Sequence, residues 1–463
     1  MKKVLVANRG EIAVRIIRAC HDLGLKTVAI YSQADAEALH VLHADEAICV
    51  GESAATMSYL RIPNIISACE ISGADAIHPG YGFLSENANF ASICESCGVT
   101  FIGPSSKTIA LLGDKSQAKK TARGARCPVI PGSSGIVSDY KQACDVANTL
   151  GYPVFVKASA GGGGRGIRIA HDAAELEKQY PAARAEAEIN FSNPDVYVEK
   201  MVVDPRHIEV QILGDKHGNY IHLGERDCTI QRRRQKLIEE SPSPIISHKM
   251  RKTIGRAAVA IAKAAKYHSA GTVEFLLDRE GNYFFMEMNT RIQVEHSVSE
   301  ELTGIDIVRE QIRIAMGKKL QYRQKEVVFN GHVMQFRVNA ENPEKNFAPS
   351  PGDVEYFVAP GGPHVRIDTA CYSGYRISPH YDSMIAKLIV RGKDRSEVIA
   401  RSKRALREFH IGGVHSTISF HQYMLEDETF CSGENYTLNY IDDLIAGGCE
   451  FSQKHDDDEV IDH

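Results

Sequence analysis

The stretch TVEFLLDREGNYFFMEMNTRIQVEH holds two apolar runs flanking Arg279, Glu280, Gly281 and Asn282, and reads as a β-hairpin. With those four residues as the loop, Asp278 pairs with Tyr283 and Glu274 falls opposite Glu287, where Cβ atoms on one face stand about 5 Å apart. Two anions so close repel, and a shared divalent cation would offset the repulsion. Asn289, two residues further on the same face, adds an oxygen. An all-oxygen set of this kind suits Mg²⁺, which fills its other positions with water and substrate phosphates. A register slip would instead send one glutamate to solvent. The alternation continues through Arg291, Gln293 and Glu295, with Met288, Thr290, Ile292 and Val294 on the other face, so the strand is expected to run straight on from the metal position. Arg291 could hold a small planar oxyanion in bidentate fashion, with Glu295 beside it as a base; a solvated edge strand would alternate in the same way.

The second chemical signal is KASAGGGGRGIRIA, with five glycines in the six residues 161 to 166. VFVK precedes it and IRIA follows, so the loop joins two strands. Gly161, Gly163 and Gly166 satisfy G-x-G-x-x-G, but no helix pattern follows, and no Gly-Lys-Ser/Thr closes a Walker loop. What remains is a glycine-rich hairpin over phosphates, whose N–H groups can approach anionic oxygens without Cβ interference. A functionless hairpin tip is the plain alternative. Lys157 sits at the strand end, where its ammonium could reach a phosphate, and Lys115 offers a second cation at another segment start. In RHIEVQIL, His207, Glu209 and Gln211 alternate with Ile208, Val210 and Ile212, as a half-exposed strand would. QRRRQK, Gln231 to Lys236, reads either as a solvated loop or as a clamp for an anion.

These groups need a scaffold. The first segment alternates strand and helix: VLVA, a helical stripe of Ile12, Ile16, Ile17, Cys20 and Leu23, then TVAIY, ADAIH and VTFIG. That order predicts a parallel sheet in an N-terminal α/β domain, residues 1–113. Residues 114–330 are richer in hairpins and hold the strong motifs. Residues 331–446 carry HVMQFRV, MIAKLIV and a helix around RSEVIARSKRALREF, and read as an α+β domain. Residues 447–463 form an acidic tail, expected to be disordered.

A length of 463 residues suggests about three such units. A net charge of -5 argues against nucleic acid as the main partner. No run of about 18 apolar residues could span a bilayer and no signal peptide is evident, so a cytoplasmic location is expected. Eleven cysteines, with only one CxxC at Cys94 and Cys97, fit a reducing compartment better than a zinc site.

NRGEIA, HPGYGFLSEN, GDK, KASAGGGGRG, ERDC with QRRRQK, EMNTRIQVEH and YDSMIAKL occur in order, and together the chain resembles the biotin carboxylase family of the ATP-grasp superfamily over about residues 1–446. The resemblance implies a three-domain ATP-grasp architecture whose central domain carries a glycine-rich lid at about 131–203. It implies that ATP and bicarbonate form carboxyphosphate, from which biotin on a carrier protein is carboxylated at N1′. ATP would be held by Lys115, Lys157, Gly163, Gly164, Glu199, Lys200, Met201, Val202, His207, Arg234, Glu274 and Glu287. Glu274, Glu287 and Asn289 would bind two Mg²⁺ or Mn²⁺ ions; Lys236, Arg291, Gln293 and Val294 would hold bicarbonate. Glu295 would be the base and Arg337 the cation that stabilises the biotin enolate and binds biotin. Arg234, Ala160 and Ser297 depart from the histidine, glycine and proline common in the family.

No Ala-Met-Lys-Met motif occurs, so the carrier is expected on a separate polypeptide. This favours the biotin carboxylase subunit of an acetyl-CoA carboxylase, serving fatty acid synthesis, working as a homodimer with carrier and carboxyltransferase subunits. Another ATP-grasp carboxylate ligase, or a non-catalytic nucleotide-binding regulator, are the alternatives.

Overall fold

The computed structural model describes residues 1–159, 166–191 and 193–451. The glycines 161–164, with Ala160 and Arg165, and most of the acidic tail, from 452 on, lie outside the described residues. Two compact units are present: one comprises Met1–Arg126, Arg206–Phe275 and the chain from Glu287 on, the other Cys127–Pro205 with Leu276–Met286.

In the larger unit the N-terminal segment forms a five-stranded sheet in the order Glu46–Gly51, Lys26–Ser32, Lys3–Val6, Ala76–His78, Thr100–Phe101. Every neighbouring pair is parallel, as the strand and helix alternation predicts. Glu46–Gly51 adds a fifth strand that is not among those expected from the sequence; it lies at the sheet edge, with only Val50 buried. The first strand is covered on both faces, with Val4, Leu5 and Val6 fully buried. Helix Gly10–Asp22 lays Ile12, Ile16, Ile17 and Cys20 against it. The strand order reverses between Lys3–Val6 and Ala76–His78, which places a crevice at their carboxyl ends. There Asn8 Nδ2 donates to the carbonyls of Pro79 and Tyr81, at 2.7 Å each. Gly80, at φ +62°, admits Asn8; a Cβ there would meet its Nδ2 at 2.7 Å.

An eight-stranded sheet follows, ordered Tyr283–Asn289, Ser269–Leu277, Arg206–Gly214, Tyr220–Arg232, Gln235–Ser241, His332–Asn339, Met384–Gly392, Val365–Thr369. It draws strands from both sides of residue 330, a continuity that the sequence does not show. Arg206–Gly214 is buried at every position rather than half exposed. Its period of two sends Ile208, Val210 and Ile212 to one face and His207, Glu209 and Gln211 to the other, where charged partners cover them. The far end of the sheet packs Met334, Phe336, Leu388 and Val390 against helices Arg395–Glu408 and Ile418–Glu426 in one apolar cluster.

In the smaller unit, Ile167–Ala170, Val154–Ala158 and Val196–Lys200 form an antiparallel sheet in that order. Val154–Ala158 and Ile167–Ala170 are the two arms expected around the glycine loop, with Lys157 opposite Ile167. Helices Tyr140–Leu150 and Ala173–Phe191 cover the sheet through Ala143, Ala147, Leu176, Tyr180 and Ala183. No helix among the described residues is long and apolar enough to cross a membrane.

Candidate functional site

Strand Arg206–Gly214, hairpin Tyr220–Arg232 and Gln235–Ser241, strand Ser269–Leu277 and strand His332–Asn339 aim polar residues into one buried cluster of the larger unit. Lys236 Nζ lies 2.5 Å from Glu295, 2.6 Å from Glu209 and 3.4 Å from Glu274. Arg337 reaches Glu295 at 2.9 Å and Glu239 at 2.5 Å. Arg226, fully buried, holds Glu209 at 2.6 Å. Three cations thus face four carboxylates, all largely removed from water. Desolvation of ions is costly, so such a cluster marks a functional site better than a stability device.

The electrostatics follow from the partners. Burial works to raise the Glu295 carboxyl, but Lys236, Arg337 and Arg226 outweigh it and hold it well below the usual carboxylate range. Glu274 is treated alike: burial raises it, and Lys236 and His207 outweigh that and hold it below the usual carboxylate range. His207 Nε2 sits 2.9 Å from Glu274. The Gln231 amide donates to His207 Nδ1 at 2.9 Å and to the Cys228 carbonyl at 2.7 Å. Because that carbonyl only accepts, the amide orientation is set, and Nδ1 is the accepting nitrogen of the imidazole.

Of the residues expected to hold the metal, Glu274 and Asn289 are in direct contact. Asn289 Nδ2 donates to Glu274 at 2.8 Å and Gln293 Nε2 at 2.7 Å. Glu287 is exposed and, among the described residues, its carboxylate has no hydrogen-bond partner. Crowding by protein, then the Glu274 charge, push its carboxyl up, while Lys115 opposes. A carboxylate destabilised by its neighbour, beside an amide oxygen, is a donor set that fits a hard divalent cation. His207, Glu209 and Glu274 also bring donor atoms within 4.8 Å of one another, but Glu209 is already saturated by Arg226 and Lys236.

One expectation is corrected. The strand does not run on to Glu295; it ends at Asn289. Glu86 accepts from the Thr290 backbone at 2.9 Å and from Arg291 Nε at 3.0 Å, which replaces the ladder bond and turns the chain. Glu295 then sits at the N-cap of helix His296–Thr303. Arg291, Gln293 and Glu295 share the site nonetheless, and Arg291 also reaches Asn289 Oδ1 at 3.1 Å. Val294 contributes its carbonyl, which accepts from the fully buried Lys387 at 3.0 Å.

QRRRQK divides rather than acting as one clamp. Arg232 is buried on Asn346 and over the Phe347 ring, and Lys236 enters the acidic cluster. Arg233 and Arg234 form the exposed two-residue turn of the hairpin at φ +48° and +66°, a left-handed geometry strained for arginine. Among the described residues neither has a carboxylate partner.

Lys115 opens helix Lys115–Gly124, whose N-cap Asp114 accepts from Gln117 N. In the smaller unit Lys157 pairs with Glu199, and Lys200 Nζ donates to the carbonyls of Gly151 and Tyr152 at 2.9 Å each. Met201 follows with its N–H on Pro153 O; Val202 is half-buried. Gly163 and Gly164 lie outside the described residues. Arg226, Glu239, Glu86 and Lys387 went unassigned in the sequence. Arg226 stands in ERDC and Glu86 in HPGYGFLSEN, but their partners are up to 205 positions away, as for Glu86 and Arg291.

Three family models match consecutive parts of the chain: the biotin carboxylase N-terminal domain over residues 1–109, the ATP-binding domain of the carbamoyl-phosphate synthase L chain over 114–323, and the biotin carboxylase C-terminal domain over 335–443. Biotin carboxylase 1 of Bacillus subtilis is 56% identical over 94% of this chain and 97% of its own length. The solved biotin carboxylase subunit of pyruvate carboxylase superposes with a TM-score of 0.86 at 49% identity, over 98% of this chain and 100% of that one. The biotin carboxylase domain dimer of Hydrogenobacter thermophilus 2-oxoglutarate carboxylase, solved with MgADP, ADP and bicarbonate, superposes with a TM-score of 0.91 at 48% identity, over 98% of this chain and 99% of that one. With three domain models in order and relatives matched over nearly their whole length, the chain belongs to the biotin carboxylase family, with its ATP-grasp architecture.

Proposed function

We propose that the chain carboxylates biotin, using ATP and bicarbonate, and that the buried Glu295, Lys236 and Arg337 cluster is its reaction centre. The observation that carries this reading is the position of Glu295 between two cations, 2.5 Å from Lys236 and 2.9 Å from Arg337. An ionised carboxylate held there can take a proton, while both cations are placed for the anions that form next.

Glu274, Glu287 and Asn289 would hold Mg²⁺ or Mn²⁺, which when bound supplies charge neutralisation for the ATP phosphates. Lys115, His207 and Arg234 in the larger unit, and Lys157, Glu199, Lys200, Met201 and Val202 in the smaller, are the proposed nucleotide contacts. Arg291, Lys236, Gln293 and the Val294 segment orient bicarbonate. Glu295 takes the bicarbonate proton; the oxygen so freed attacks the γ-phosphorus, the bond to the β-phosphate oxygen breaks, and ADP leaves. Carboxyphosphate then divides into CO₂ and phosphate. Phosphate takes the N1′ proton of biotin, Arg337 stabilises the enolate, and N1′ bonds to CO₂.

Because Glu295 is held so acidic, it is a weak base. The drive must come from Lys236 and Arg291 stabilising the carbonate dianion as the proton leaves, not from the carboxylate alone.

The finer reading is that biotin is presented by a separate carrier protein to a cytoplasmic homodimer, as the first half-reaction of an acetyl-CoA carboxylase. The dimer of the Hydrogenobacter domain supports the homodimer. The test is ADP release with Mg²⁺, omitting bicarbonate, biotin and metal in turn. Release that needs bicarbonate and metal and rises with biotin is expected; turnover indifferent to bicarbonate and biotin would point to another carboxylate ligase, and nucleotide binding without turnover to a regulator. Transfer of labelled CO₂ to acetyl-CoA, rather than to pyruvate or 2-oxoglutarate, in the presence of the matching transferase checks the acceptor.

A further inference from the structure

Arg226 is the largest fully buried side chain among the described residues, and the proposed reaction gives it no contact with substrate. All five of its N–H groups are engaged. Nε donates to Glu209 Oε1 at 2.6 Å, one terminal nitrogen to Gln211 Oε1 and Ser299 Oγ at 2.8 Å each, the other to Gln293 Oε1 at 2.9 Å and Thr272 Oγ1 at 3.4 Å. A guanidinium only donates, so every atom turned toward it must be an acceptor.

For Gln293 this decides which end of an otherwise ambidextrous amide faces the site. The oxygen is held by Arg226 and the NH₂ group is turned outward, where it now donates to Glu274 at 2.7 Å. A flipped amide would offer a carbonyl dipole to an incoming anion and repel it. For Glu209 the same guanidinium takes one oxygen and leaves the other for Lys236 Nζ at 2.6 Å.

We infer that Arg226 is a positioning residue that fixes the donor polarity of the anion site, locking the Gln293 amide with its NH₂ toward bicarbonate and, through Glu209, anchoring the Lys236 ammonium. The inference rests on the reading that Gln293 and Lys236 hold bicarbonate. Lysine cannot replace the planar fork, because its three donors radiate from one point.

The experiment compares wild type, Gln293→Ala, Arg226→Lys, the double variant and Ser299→Ala for KM of bicarbonate, KM of ATP and thermal unfolding. Arg226→Lys is expected to raise the bicarbonate KM about tenfold or more, the scale of a lost charge-assisted hydrogen bond, with the ATP KM moved less than about twofold. Added to Gln293→Ala it should raise that KM less than it does in wild type, since the two share one path. An unchanged bicarbonate KM in Arg226→Lys, or full additivity, overturns the inference while Gln293→Ala still shows its defect. No defect in Gln293→Ala would overturn the bicarbonate reading itself, and the inference with it. If Arg226→Lys does not fold, Ser299→Ala decides: removing one acceptor of the guanidinium should raise the bicarbonate KM about two- to fourfold with ATP unaffected, and no change overturns the inference.

Discussion

At the scale of residues, the site is a set of mutually dependent charges. Glu295 is ionised because Lys236, Arg337 and Arg226 overcome the burial that would protonate it. Glu239 goes the other way: burial raises its carboxyl, Arg337 opposes, and the nearby Glu295 charge adds to the rise. Replacing a single member therefore disturbs its neighbours. Glu295→Gln keeps the shape but removes the proton acceptor, and bicarbonate-dependent ADP release should fall by about 10²–10⁴-fold. ATP affinity, read by equilibrium binding, should stay within about twofold because no nucleotide contact is lost. Retained carboxylation of biotin by that variant would sink the assignment of the base.

At the scale of elements, positions are held by close packing that residue type alone hides. Gly255 lies inside helix His248–Ala264, where alanine is ordinarily better by about 1 kcal/mol. Here a Cβ would meet the His222 ring at 2.5 Å. His222 cannot swing freely, since its Nδ1 accepts from the Gly224 N–H at 3.4 Å. Overpacking of this kind costs about 1–3 kcal/mol, so Gly255→Ala should be destabilising despite its better helix propensity. A urea midpoint equal to or above that of wild type would refute the packing argument.

At the scale of the whole molecule, four histidines among the described residues are buried completely: His40, His78, His296 and His421. Burial holds His40 and His421 at about 4 and His78 and His296 at about 3, against an ordinary 6.5. Between those values the unfolded chain binds protons that the folded one refuses, so stability rises with pH and is lost as pH falls below about 6.5. Each such histidine contributes about 1.4 kcal/mol per pH unit in that window. Glu11 and Glu239, raised by burial, pull the other way. The urea midpoint should still drop clearly between pH 7.5 and 5.5; a flat profile would show that the imidazoles are protonated in the native state.

The sequence by itself determined the local pieces: the parallel sheet of the first segment, the hairpin arms around the glycines, and the residues Glu274, Glu287, Asn289, Arg291, Gln293 and Glu295 as one chemical group. These are legible because hydrophobic periodicity and turn residues act over a few positions. Tertiary structure alone decided that the strand breaks at Asn289, that QRRRQK sends Lys236 inward while Arg233 and Arg234 stay in solvent, and that the Arg206–Gly214 strand is buried on both faces. It also decided the partners of Glu295, because Lys236 and Arg337 reach it from 59 and 42 positions away. A buried charge is stable only beside its counter-charge, and that neighbour is chosen by the sheet order, which no short-range pattern encodes.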